Sequence, residues 1–256
     1  MKHIVKKVSL LLLFIYIGLG VFLYLNQRSF LYFPTPNNAT AYNTMSIQND
    51  GENINIILLN EGHKNAILYF GGNAESMAGS ADYIAKQFPH FTVYLMDYRG
   101  YGESTGVATE QTLYKDALKL YDSIKKKHER ISLGGRSLGS GIATYVAEQR
   151  EVSKLVLITP FDSILSVAQA RFPFYPVYWL LDERYDSASR AKEIRAETLV
   201  IMAELDRVIP KVHTQKLIDA FDVKQLKVIV IKNRGHIDIS SDERYYKSVQ
   251  DFIGEG

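Results

Sequence analysis

Five short apolar runs carry most of the information about how this chain folds: "FTVYLMD" (91–97), "ISLGG" (131–135), "KLVLIT" (154–159), "TLVIMA" (198–203) and "KVIVI" (227–231). Each is close to continuous rather than alternating, so each is expected to be covered on both faces. Helical segments fall between most of them, and a buried strand followed by a helix enters its sheet parallel to its predecessor. The segment 109–127 shows the helical period well, with Leu113, Ala117, Leu120, Tyr121 and Ile124 on one face. Further helices are expected near 78–88, 138–149 and 211–220, and from about residue 240. Upstream, "INIILL" (54–59) and "AILYF" (66–70) flank "NEGHKN" and read as a hairpin. The expectation is an α/β fold, a mostly parallel central sheet with helices on both faces. An aromatic-rich, cap-like insert at about 160–197 interrupts the rhythm. With 256 residues, 46% of them hydrophobic, the chain can fill one core of that size.

On such a sheet the stretch "LGGRSLGSG" (133–141) matters most. Ser137 lies in the pattern G-x-S-x-G between a predicted strand and a predicted helix, where a nucleophile elbow lifts a hydroxyl clear of the sheet. A second match, "GESTG" around Ser104, neither follows a strand directly nor starts a helix, and reads as a loop. A serine needs a base, and the base needs an orienting acid. His63, His90, His128 and His213 fall in a turn, before a strand, at a helix end and on a helix face. His236 alone follows a strand directly, in "KVIVIKNRGH". The acid is expected after a strand between serine and histidine, which selects Asp206 in "ELDRVIP", with Asp162 in "TPFDS" as its competitor. The order Ser137, Asp206, His236 is the one used on parallel α/β sheets. An oxyanion hole requires two backbone N–H groups. Leu138 would supply one and Asn73 in "LYFGGNAES" the other, with Gly71 and Gly72 letting that backbone approach.

Taken in order over about residues 55–240, "LYFGGNAES", "DYRGYGES", "LGGRSLGSG", "FDS" with "FPFYPVYWLLDERYDS", "ELDRVIP" and "GH" resemble the α/β-hydrolases. More narrowly, they resemble the small membrane-anchored serine hydrolases whose eukaryotic relatives include protein depalmitoylases. The resemblance implies the α/β-hydrolase fold, triad roles for Ser137, Asp206 and His236, and a place for the "DYRGYGES" loop beside the site. Two positions depart from the family pattern: Gly71 replaces the histidine of His-Gly-Asn, and Ala203 stands where glycine is usual. The insert supplies Phe172, Phe174, Tyr175, Tyr178 and Trp179, either as an apolar wall for an acyl chain or as part of the core. The expected activity is hydrolysis of a carboxylic ester or thioester with an apolar acyl group, carried by a small or lipid-like molecule or by an acylated protein. An acyltransferase using the same triad, and a membrane-tethered binding module without turnover, are the alternatives.

At the N-terminus, Lys2, Lys6 and Lys7 precede residues 8–25, an apolar run broken only by Ser9, Gly18, Gly20 and two tyrosines. Eighteen helical residues span about 27 Å, close to a bilayer core. A secretory signal has a shorter apolar region, and although "GLG" (18–20) resembles a cleavage site, the run continues past it. An uncleaved anchor is therefore expected, with a secreted form as the alternative. The lysines against Arg28 place the N-terminus in the cytoplasm and the catalytic domain on the non-cytoplasmic side. The expected organisation is an anchor at 1–28, a juxtamembrane connector at 29–44 and a hydrolase domain at 45–256. A formal charge of +2 supplies no field for nucleic acid, and "KKKHER" (125–130) reads as a solvated helix end. With no cysteine there is no thiol nucleophile, disulfide or thiolate zinc site. No metal and no cofactor are expected.

Overall fold

A computed structural model of the chain describes residues 1–38 and 40–254. A long helix, α1 (Lys2–Leu31), precedes strands β1 (Thr44–Asn49), β2 (Glu52–Leu59) and β3 (Asn65–Phe70). Helix α2 (Met77–Gln87), β4 (Thr92–Met96), α3 (Glu110–Ile124), β5 (Arg130–Arg136), α4 (Leu138–Gln149) and β6 (Lys154–Ile158) follow in alternation. Three short helices, α5 (Ile164–Arg171), α6 (Val177–Leu180) and α7 (Ser187–Ala191), form the insert. The chain closes with β7 (Glu197–Ala203), α8 (Lys211–Ala220), β8 (Leu226–Ile231) and α9 (Glu243–Gly254).

The strands form one sheet in the order β1-β2-β4-β3-β5-β6-β7-β8. Strands β3 to β8 run parallel, while β2 pairs antiparallel with both β4 and β1. The hairpin expected from 54–59 and 66–70 does not form. Strand β4 lies between its two halves, pairing Leu95 with Ile57 and Val93 with Ile67. The physical reason is burial: every residue of β4 is buried, so it takes an interior position in the sheet. The real hairpin joins β1 to β2 through Asp50 and Gly51, both at positive φ (49° and 82°), the conformation that an Asp-Gly turn favours.

The two-residue period of the strands divides the core cleanly. Leu68, Tyr94, Leu133, Leu155 and Val200 face α3, α4, α7 and α8, whereas Ile67, Val93, Val156 and Ile201 face α2 and α9. This is the α/β-hydrolase fold, with both faces of a mostly parallel sheet covered. No residue of α1 is buried, and its mean hydropathy of 2.5 over the most apolar window makes it long and apolar enough to cross a membrane. The helix extends to Leu31, three residues into the expected connector. Tyr32 then turns into the domain, 7% exposed, with its hydroxyl between Glu183 and Tyr185.

Candidate active site

Ser137 sits between the last residue of β5 and the first of α4 at φ 50° and ψ −116°, a strained backbone for a residue with a Cβ. Such a conformation costs about 1–3 kcal/mol and persists only where its surroundings impose it. They do so by crowding. A Cβ at Gly139 would lie 2.0 Å from the Phe70 carbonyl oxygen, and one at Gly135 would lie 2.5 Å from the Gly139 carbonyl oxygen. Only glycine lets α4 press this closely on β3 and β5, and that approach fixes the turn.

The structure brings together the three residues expected to act as a unit. The Ser137 hydroxyl lies 2.9 Å from His236 Nε2, and His236 Nδ1 lies 2.7 Å from Asp206 Oδ2. The second oxygen of Asp206 accepts the N–H groups of Val208 (2.9 Å) and Ile209 (2.8 Å), so both carboxylate oxygens are held. Asp162, the competing acid, is elsewhere: its carboxylate accepts from His213, 2.9 Å away and deep in the α8 side of the core. Ser104 is a buried structural residue whose hydroxyl donates to the Asp97 carbonyl and accepts the Asn55 N–H. Ala203, where the family has glycine, ends β7 and is buried at 7% exposure.

The loop after β3 reaches the serine, since a Cβ at Gly72 would stand 3.9 Å from that of Ser137. The Gly72 carbonyl turns back to accept the Glu75 N–H (3.1 Å). Because the peptide is planar and trans, the Asn73 N–H points the opposite way. The Ser137 carbonyl likewise accepts from Ser140, which turns the Leu138 N–H outward at the start of α4. Among the described residues neither of these two N–H groups donates to another group. Three further bonds fix Asn73: its carbonyl accepts the Phe33 N–H (3.2 Å) and the Tyr101 hydroxyl (2.8 Å), and its side chain donates to the Leu31 carbonyl (3.1 Å).

Gly71 has a steric explanation. A Cβ there would meet Met77 Cε at 2.4 Å and Glu75 Oε2 at 3.3 Å, so a histidine here requires the ends of these two side chains to move aside. Glu75 accepts the Gly72 N–H (2.9 Å) and the Tyr69 hydroxyl, and Tyr98 donates to the Gly71 carbonyl (2.7 Å). Burial pushes the Tyr98 hydroxyl well above the usual phenol range, so it remains a donor. Sequence reasoning did not single out Glu75 or Arg136. Arg136 donates to the carbonyls of His236 and Ile237 and lies 3.8 Å from Glu75, bridging the histidine loop and the loop after β3. Its only signal was its place as the variable residue of G-x-S-x-G.

Phe172, Phe174, Tyr175, Tyr178 and Trp179 are each exposed or half-buried, apart from the core. Tyr175 stacks on Tyr16 of α1, while Phe174 and Trp179 are 85% and 79% exposed. No cluster that could hold a metal ion occurs among the described residues.

Known proteins share this fold. Residues 65–187 match the family described as the alpha/beta hydrolase fold. An uncharacterized protein of Mycobacterium tuberculosis is 32% identical over 178 residues, which is 68% of this chain and 63% of that protein. The lysophosphatidylserine lipase ABHD12 of Danio rerio is 31% identical over 177 residues, 60% of this chain and 46% of the lipase. The chain thus spans under two thirds of the length of either relative. An esterase of Pyrococcus furiosus superposes with a TM-score of 0.68 at 15% identity, covering 88% of this chain and 98% of the esterase. Together these support the α/β-hydrolase superfamily.

Proposed function

We propose that this chain, built on the α/β-hydrolase fold, is a membrane-anchored serine hydrolase that cleaves carboxylic esters or thioesters with an apolar acyl group. The observation that carries the proposal is the use of both His236 nitrogens, one toward the Ser137 hydroxyl and one toward Asp206. Such a ring accepts the hydroxyl proton on one side while its other N–H is held by a carboxylate that stabilises the positive charge it gains.

The steps follow from these positions. Ser137 Oγ attacks the acyl carbon as its proton passes to His236 Nε2. The carbonyl oxygen becomes an oxyanion and accepts the N–H groups of Asn73 and Leu138. When the tetrahedral centre collapses, His236 returns the proton to the leaving alcohol or thiol, and the acyl group remains on Ser137. A water then gives a proton to the same nitrogen and attacks the acyl-enzyme; as the carboxylic acid leaves, His236 returns that proton to Ser137 Oγ. On this reading α1 spans the membrane with its N-terminal lysines in the cytoplasm, and the chemistry works at the opposite membrane surface. The Danio rerio relative's name, a lysophosphatidylserine lipase, favours a lipid oxygen ester as substrate.

Labelling of the full-length protein with a fluorophosphonate tests the reading directly. One stoichiometric adduct on Ser137, absent in His236→Ala, is expected. A folded protein that gains no adduct overturns it. Turnover of a chain-length series of nitrophenyl esters and matched thioesters then fixes the substrate, and added alcohols reveal any acyl transfer.

A further inference from the structure

The insert contains ten consecutive residues without a charge, "FPFYPVYWLL" (172–181), bounded by Arg171 and Asp182. Five are aromatic, and α1 contacts the segment near both of its ends. The Tyr175 ring stacks on Tyr16 at 4.7 Å with an interplanar angle of 1°. At the other end Gln27 accepts the Asp182 N–H at 2.9 Å and reaches toward the Leu180 carbonyl, and Arg28 pairs with Glu183 at 3.0 Å. The segment therefore climbs the flank of α1 from the level of Tyr16 to that of Arg28.

Depth along the helix has a direct meaning. Tyr16 precedes Leu25, the last residue of the apolar run, by nine residues, about 14 Å of helix rise. That is roughly half the thickness of a bilayer core. If α1 crosses a membrane, the tip of the insert lies inside it. We infer that residues 172–181 enter the non-cytoplasmic leaflet beside α1, making the insert a lipid-immersed rim of the hydrolase domain. The inference rests on the reading of α1 as a membrane span and not on the triad.

Two independent features support a hydrocarbon environment over water. The first is backbone satisfaction, which non-helical chain must achieve to lie in lipid. Pro173 and Pro176 carry no N–H. The Phe174 carbonyl accepts the Tyr16 hydroxyl (2.6 Å), the Tyr175 carbonyl the Gln169 side chain, and the Tyr178 carbonyl the Arg184 guanidinium (2.8 Å). Most of the remaining N–H groups donate within the segment or to α5. The second is the order of the side chains. Phe174, exposed and purely apolar, is at the deep end, while Tyr178 and Trp179 stand near the Gln27 and Arg28 level. Amphipathic aromatics collect at that level in membrane proteins.

Trp179 is the sole tryptophan of the chain, so its fluorescence reports on the rim alone. The full-length protein is reconstituted into phosphatidylcholine vesicles whose acyl chains carry bromine at shallow or deep carbons. Flotation of the protein with the vesicles scores α1 separately. The expected result is quenching of Trp179 by shallow bromines, at least twofold stronger than by aqueous acrylamide. In the double variant Trp179→Phe, Phe174→Trp, the maximum should move to deep bromines. A protein that floats but whose tryptophan is quenched only by acrylamide overturns the rim and leaves the anchor standing. A protein that does not float overturns both, and Ser137 labelling in the same sample reports independently on the hydrolase.

Discussion

The chain holds two sets of serine, histidine and aspartate, and their difference shows what a triad is made of. In one, His236 takes Asp206 on Nδ1 and Ser137 on Nε2. In the other, His213 meets both Asp162 (2.9 Å) and Ser166 (3.2 Å) on the same nitrogen, Nδ1. The residue types and distances are nearly the same, yet only the first ring can take a proton from a hydroxyl on one nitrogen while a carboxylate holds the N–H of the other. The backbones differ too. Ser137 stands on a strained elbow, whereas Ser166 lies in the first turn of α5, whose cap Ser163 accepts its N–H. His213 is 3% exposed, and Lys216 also approaches Asp162 at 3.8 Å. The second set fastens α8 to the start of the insert.

Substitution in parallel breaks or sharpens this contrast. Ser137→Ala is expected to lower kcat by about 10⁶-fold, as loss of the nucleophile does in other triads, while Ser166→Ala leaves turnover unchanged. Steady-state assays on the two variants decide it, and equal losses would end the distinction drawn here. Asp206→Asn should lower kcat by about 10⁴-fold with the melting temperature nearly preserved. Asp162→Asn should do the reverse, removing about 1–3 kcal/mol of stability, read from urea unfolding, with kcat per folded molecule intact.

A third histidine gives the smallest effect. His128 is half-buried between the Tyr94 hydroxyl (2.8 Å) and the His63 carbonyl (3.0 Å), and burial holds its imidazole below the usual range. The unfolded chain therefore binds a proton at higher pH than the folded one. Its contribution is fully favourable above the ordinary value of about 6.5 and is lost as pH falls below it. Urea midpoints measured on either side of that pH should fall on acidification, and His128→Gln should flatten the fall without touching activity.

The parallel part of the sheet was legible in the sequence because strands such as β5, β6 and β7 are continuous apolar runs with helices after them. The serine was legible because strand, turn and helix signals coincide at one residue. The edge was not. The 54–59 and 66–70 runs looked like partners because they are close in sequence, but neighbours in a sheet are set by burial, and the fully buried β4 took the place between them. Likewise His213 gave no sign of its pairing with Asp162, since the two are 51 positions apart and only Asp162 lies in a stretch that the resemblance covers. The insert was left open between two readings for a related reason. Aromatic content marks surface that seeks an apolar neighbour, and it does not say whether that neighbour is a ligand, the core or another helix.

Asn73 binds the carbonyl of Leu31 through its side chain and the N–H of Phe33 through its own carbonyl. The end of α1 and the catalytic loop are thus joined with no slack between them. A domain on a long flexible leash sweeps a volume and meets substrates at many distances from its anchor point. This one has a single working height. With α1 in a bilayer, and on the proposed function, Ser137 would address bonds lying in one thin layer above the membrane. Selection then acts on where in a molecule the scissile bond sits, before the shape of any pocket is consulted.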